Sequence, residues 1–138
     1  MIVSTRGRYA LRVMLYLARS CGDNYIPLKD IAAAEDISLK YLEGIMSSLS
    51  KAKLVDGAHG KGGGYKLAKS PDKYTVGDNL RLTERSLTPV DCPEFENEPC
   101  KHAEVCLTLP MWLKLDRMIN EFFDGITLSD LIEKREIQ

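Results

Sequence analysis

The chain has 138 residues, enough for one small domain with an oligomerisation element, and its 44% hydrophobic and 28% charged residues are those of an ordinary globular protein. No apolar run reaches the roughly 18 residues of a bilayer-spanning helix, and no signal-peptide cleavage region follows the N-terminal stretch, so a cytoplasmic protein without membrane contact is expected. The net charge of −1 conceals an asymmetry: residues 1–69 hold eleven Lys and Arg against six Asp and Glu, and residues 70–138 hold eight against fourteen. The front half can meet phosphates and the back half would be repelled by them, although charge alone does not separate this from scatter.

In chain order, Arg6 to Ser20 reads as a largely buried helix carrying Tyr9, Leu11, Val13, Met14, Tyr16, Leu17 and Ala18, ended by Gly22, Asp23 and Asn24. Pro27 opens a second helix, LKDIAAAED, with Leu28, Ile31 and Ala32 on one face. Ser38 is the expected N-cap of a third, with Leu39, Leu42, Ile45, Met46 and Leu49 at helical spacing. The short turn at Asp36 and Ile37 makes the pair a helix-turn-helix. Two short strands, Lys53–Val55 and Tyr65–Leu67, are expected around DGAHGKGGG, whose glycine density argues against helix or strand interior. Strand, glycine-rich tip and strand after a helix-turn-helix form a wing.

A further short helix is expected from Thr75 to Arg85. Pro89, Pro93 and Pro99 make regular structure improbable over residues 88–106. After Pro110, Trp112, Leu115, Met118, Ile119, Phe122 and Phe123 recur at steps of three and four, and Thr127–Glu133 makes a last helix with Leu128, Leu131 and Ile132 inward. The long helix carries more apolar surface than a small winged helix could cover, so it is expected to dimerise the protein. The expected fold is mainly α with a small β-wing: a winged helix-turn-helix over 1–85, a cysteine loop over 86–106, and a dimerisation helix with a C-terminal helix over 107–138.

Residues near the start of a recognition helix reach base edges in a major groove, which nominates Ser38, Lys40, Tyr41 and Glu43. Lys40 and Tyr41 can donate to phosphate or base oxygens. Glu43 can accept from a cytosine amino group and repel unsuitable sites, though a single glutamate is more often a solvated charge. At the wing tip, His59, Lys61 and Gly62 are the contact candidates, since glycine lets backbone approach phosphates and Lys61 brings charge. The tip lacks the Gly-Lys-Ser/Thr sequence of a nucleotide-binding loop, and no nucleophile motif or paired carboxylates stand out, so no enzyme is expected.

Three cysteines, Cys92, Cys100 and Cys106, are spaced C-x7-C-x5-C in the acidic segment DCPEFENEPCKHAEVC, while Cys21 stands apart. The close C-x2–4-C pairs of structural zinc sites are absent, and iron–sulfur clusters accept wider spacing because their ligands surround a larger object. A cluster of the 2Fe-2S or 4Fe-4S type, a zinc site, a redox-thiol switch and no role remain open. Three thiolates leave one position to fill; His102 is the nearest nitrogen in sequence, and an aspartate or glutamate oxygen is the other candidate.

The segments STRGRYALRVMLYLA, PLKDIAAAEDISLKYLEGIMSSLSKAKLV, GKGGGY and GITLSDLIE resemble the Rrf-type winged-helix transcription factors over nearly the whole chain. The cysteines, with CLTLPMW beginning at the third, resemble the IscR-like cluster-binding branch. The resemblance implies a homodimer on a double-stranded DNA operator, a cluster held by Cys92, Cys100 and Cys106 that is 2Fe-2S in preference to 4Fe-4S, and repression of iron–sulfur assembly genes. It places Glu43 on the glutamate that discriminates between classes of DNA site. Two departures accompany it. The branch carries a fourth-ligand histidine three residues after the third cysteine, where this chain has Leu109, and two extra residues separate its first two cysteines. A nitric-oxide-sensing branch with a 4Fe-4S cluster instead uses an N-terminal aspartate, where this chain has Arg8 and no acid before Asp23. A zinc-stabilised interaction protein that binds no DNA is the reading of another class.

Overall fold

The computed structural model describes residues 3–20, 24–91, 100–102 and 104–137. Its helices are α1 (Thr5–Arg19), α2 (Leu28–Glu35), α3 (Leu39–Lys51), α4 (Val76–Thr83), α5 (Leu109–Asp124) and α6 (Leu128–Ile132), with strands β1 (Val55–Ala58) and β2 (Gly64–Leu67) between α3 and α4. Ser4 starts α1 by accepting the Gly7 N–H at 3.0 Å, and Ala10, Val13, Met14, Leu17 and Ala18 form its buried face. α2 stops at Asp36, whose left-handed backbone (φ 52°, ψ 51°) is one that an aspartate tolerates. The chain then turns within two residues to Ser38, which caps α3 by accepting the Tyr41 N–H at 3.2 Å.

Leu42, Ile45, Met46 and Leu49 of α3 are buried against Ile31 and the α1 face, which builds the main core. Leu39, grouped with them by spacing, is 47% exposed. It is the first residue of α3, and side chains lean toward a helix N-terminus, so it projects past the end of the core.

β1 and β2 pair antiparallel from Val55 opposite Leu67 to Ala58 opposite Gly64. The first strand therefore lies two residues later than its sequence placement at Lys53–Val55 and includes Asp56, Gly57 and Ala58 from the glycine-rich run. Lys53 takes a left-handed φ of 61° and belongs to the turn leaving α3. Gly57 is accepted inside the strand because it stands opposite Tyr65, whose ring lies 3.2 Å from where a Cβ would be. Gly64, with φ 143°, faces the Ile26 carbonyl, which a Cβ would meet at 2.1 Å. That close approach lets Ile26 exchange two backbone hydrogen bonds with Tyr65, at 2.8 and 2.9 Å, tying the segment before α2 to the wing.

The C-terminal elements return to the same body. Val76 N–H donates to the Ile126 carbonyl at 2.8 Å, Leu128 N–H to the Tyr74 carbonyl at 3.0 Å, and Leu128 is fully buried in the main core. Capping boxes at Thr75 with Asp78 and at Thr127 with Asp130 start α4 and α6. α5 is different: Leu109 is its one buried residue, and Met111, Leu113, Met118 and Phe122 are exposed. Among the described residues no helix is long and apolar enough to cross a membrane.

Candidate nucleic-acid interface

The buried stripe of α3 fixes what its opposite face presents. With Leu42, Ile45, Met46 and Leu49 inward, Lys40, Glu43, Gly44, Ser47 and Lys51 stand exposed. Ser38 is exposed but its hydroxyl already accepts from Tyr41, so its first role is capping. Tyr41 is 39% exposed and its ring meets Tyr9 of α1 edge to face at 5.9 Å. Arg12 lies over that same Tyr9 ring at 5.2 Å, and its Nη2 donates to the Glu35 carbonyl at 2.7 Å. Tyr41 is thereby held at the flank of α3 that faces α1.

On the other flank, α3 and the wing enclose an open groove of about 720 Å³ lined by Glu43, Ser47, Lys51, His59, Gly60 and Tyr65, among others. The structure thus brings Glu43 and His59, 16 residues apart in sequence, to one groove. Lys61 and Gly62 are exposed at the tip, where Gly62 has φ 80° and open space around its α-carbon. Ser47 and Lys51 were not singled out from sequence. Their signal was available, because they follow Glu43 by four and eight residues on one helical face.

Of the cysteine site, Cys92 lies outside the described residues. Cys100 is half-buried, and the backbone N–H of His102 points at its sulfur at 3.5 Å; the imidazole-bearing residue itself is exposed. Cys106 is half-buried, 3.5 Å from the Thr108 hydroxyl at the entrance to α5. Hydrogen bonds from that hydroxyl, and then from the backbone N–H groups of Thr108 and Leu109, hold the Cys106 thiol below its ordinary range. Leu109 turns inward and is 9% exposed. Among the described residues, no three of His, Cys, Asp and Glu gather closely enough to hold a metal ion.

Comparison with known proteins agrees with this arrangement. The model of the Rrf2 family, described as iron-dependent transcriptional regulators, matches residues 3–134. The transcriptional regulator IscR of Aliivibrio salmonicida is 38% identical over 138 residues, 100% of this chain and 81% of that one. CymR of Bacillus subtilis is 38% identical over 131 residues, 95% of this chain and 89% of that protein. Among solved structures, CymR, described as the global cysteine regulator of B. subtilis, superposes with a TM-score of 0.79 at 34% identity, covering 97% of this chain and 98% of that one. IscR of T. potens gives a TM-score of 0.76 at 34% identity, covering 97% and 88%.

Proposed function

The chain belongs to the Rrf2 family of DNA-binding transcriptional regulators, and from that premise we propose that it binds its operator as a homodimer under the control of an iron–sulfur cluster in the cysteine segment. Members of this family regulate transcription and are not enzymes. The proposed ligands are Cys92, Cys100 and Cys106, the cluster is 2Fe-2S in preference to 4Fe-4S, and the proposed targets are genes of iron–sulfur assembly, under repression.

One observation carries the ligand reading. Cys106 sits where Thr108 and the first N–H groups of α5 favour its thiolate, and the thiolate is the form that binds iron. Cys106 therefore fits the group in its chemistry. Leu109 is buried and has no donor atom, so the fourth ligand comes from elsewhere, and His102, two residues from Cys100, is the proposed one. A bound cluster supplies a state that responds to iron supply and oxidants. The protein's own part is mechanical. Cys106 opens onto α5, α5 is tied to α4 through Arg81 and Asp124, and α4 packs on α1, which packs on the reading head.

The lowered Cys106 thiol also favours a second reading, a redox-thiol switch without metal. Anaerobic purification followed by absorbance, iron and sulfide analysis separates the readings. Iron and sulfide in equal amounts, at two per subunit, support the proposal, and four per subunit point to a 4Fe-4S sensor. Zinc without sulfide would mean a structural zinc site. Neither metal, with a cysteine reversibly oxidised by peroxide, would leave the thiol switch. An unaltered cluster spectrum in His102→Ala would remove His102 from the ligand set.

A further inference from the structure

The wing covers one flank of α3, and on the opposite flank stands the first turn of α1. From there Arg6 reaches onto α3, where its Nη2 donates to the Gly44 carbonyl at 3.2 Å and to Ser48 Oγ at 2.8 Å. The side chain is anchored and still exposed. Among the described residues it makes no ion pair, unlike Arg12, Arg81 and Arg135, which are paired with acids. Its Nε and Nη1 donors make no hydrogen bond among the described residues, so the planar fork is held by one end and open at the other.

Two neighbours sharpen this placement. Gly44 lies on the outward face of α3, and nothing stands within 4 Å of where its Cβ would be, so the helix surface beside the Arg6 anchor is open. The start of α1 already faces an anion: Glu84 Oε1 accepts from Ser4 N at 2.8 Å and Ser4 Oγ at 2.6 Å. Attraction for a second anion here therefore comes from the guanidinium rather than from the helix dipole.

We propose that Arg6 binds a DNA phosphate on the strand that runs along α3 opposite the wing. The inference rests on α3 being the recognition helix. A helix with its side chains is about 10–12 Å across, and a major groove is about 12 Å wide, so an inserted helix has a phosphate wall on each side. Lys61 on the wing meets one wall. Arg6 is placed to meet the other, and the Gly44 and Ser48 anchors fix it there before DNA arrives. A phosphate contact carries no base information, so Arg6 sets the seating of α3 rather than the choice of sequence.

The test uses the full chain without cluster and several mixed-sequence duplexes of about 30 base pairs, with affinity measured by anisotropy across a salt series. The wild-type protein gives a steep salt slope. Arg6→Gln should bind roughly 5- to 10-fold more weakly at 0.1 M salt on every duplex, with the slope shallower by about 0.9, the value of one phosphate contact. Arg6→Lys keeps the charge and should keep the slope, and it also covers the case in which Arg6→Gln does not fold. An unchanged slope in Arg6→Gln, a slope lost in Arg6→Lys, or weakening confined to one sequence overturns the inference. Absence of DNA binding by the wild-type protein would instead overturn the reading of the interface beneath it.

Discussion

Arg81 of α4 grips Asp124 at the end of α5 through two hydrogen bonds, Nη1 to Oδ1 at 2.7 Å and Nη2 to Oδ2 at 2.9 Å, while Nη2 also reaches Asn120 Oδ1 at 2.7 Å. The pair lies over Gly77, whose missing Cβ would stand 2.1 Å from Asp124 Oδ1 and 2.8 Å from Arg81 Nη1. Both side chains are partly solvated, 40% and 46% exposed, so the ion pair contributes only about 0.5 kcal/mol, and less in high salt. The glycine is the stricter requirement. Gly77→Ala should lower the urea midpoint clearly in the wild-type background and much less in Asp124→Ala. Equal losses in the two backgrounds would show that the carboxylate is not what excludes the methyl group.

The wing is fixed at its base by Tyr74, which is 1% exposed. Its hydroxyl donates to the Leu54 carbonyl at 2.7 Å, just before β1, and accepts the Lys69 N–H at 3.0 Å, just after β2. Tyr74→Phe keeps the ring and removes both bonds, so it should cost about 1–2 kcal/mol in denaturant unfolding. Burial is the main cause that raises the Tyr74 pKa above 10.0. A raised folded pKa means that this stabilisation is complete below pH 10 and is lost as pH rises toward the folded value. Wild-type and Tyr74→Phe stabilities should therefore converge in strong alkali; curves that stay parallel would contradict the assignment.

Much of this architecture was legible from residue pattern because local signals agreed with tertiary demand. Ser38 before an apolar period of three and four gave α3, and the short break at Asp36 and Ile37 marked the turn, which the fold builds on the left-handed backbone of Asp36. Two kinds of information were not local. Gly57 entered β1 only because Tyr65 stands across from it, which a reading of glycine density along the chain does not contain. Arg6 meets Gly44 and Ser48 from about forty residues away, and no periodicity links them. Within the site, the face shared by Glu43, Ser47 and Lys51 was readable once Leu42 and Met46 were assigned inward. The relation of Cys92 to the other thiols lies outside the described residues.

The Cys106 thiol should behave as an activated one. The Thr108 hydroxyl is the first cause of its lowered pKa, with the backbone N–H groups of Thr108 and Leu109 behind it. Alkylation of Cys106 by iodoacetamide near neutral pH should slow several-fold in Thr108→Val, because less of the thiol is ionised. The linked effect on stability has a defined sign. The folded pKa lies below the ordinary 9.0, so this group's contribution is complete above pH 9 and is lost as pH falls through the folded value. Peptide mass spectrometry of the alkylated protein gives the rate, and equal rates in both proteins would show that the hydroxyl does not tune the sulfur.

The apolar face of α5 should hold the proposed dimer together. Met111, Met118 and Phe122 are exposed at one stripe of the helix, 53%, 56% and 47% in turn, which is unusual for one 16-residue element. Met118→Glu places a charge in the middle of that stripe without touching the head. It should convert the protein to monomers in light scattering while the unfolding midpoint of the head moves little. A dimer that survives both Met118→Glu and Phe122→Glu would place the association elsewhere.

Glu43 should set which DNA sites are accepted. It is exposed in the groove between α3 and the wing, where a carboxylate rewards a cytosine amino group and penalises a position that offers only acceptors or backs onto phosphate. Glu43→Ala removes both effects. The cluster-free variant should therefore bind poor sites more tightly, by up to the 1–3 kcal/mol typical of one good base contact, while its best sites change less. The salt slope should stay the same, because no phosphate contact is lost. Parallel anisotropy titrations on a panel of single-base operator variants measure the spread of affinities. A narrowed spread is the expected result, and a spread identical to the wild type would mean that the carboxylate is only a solvated surface charge.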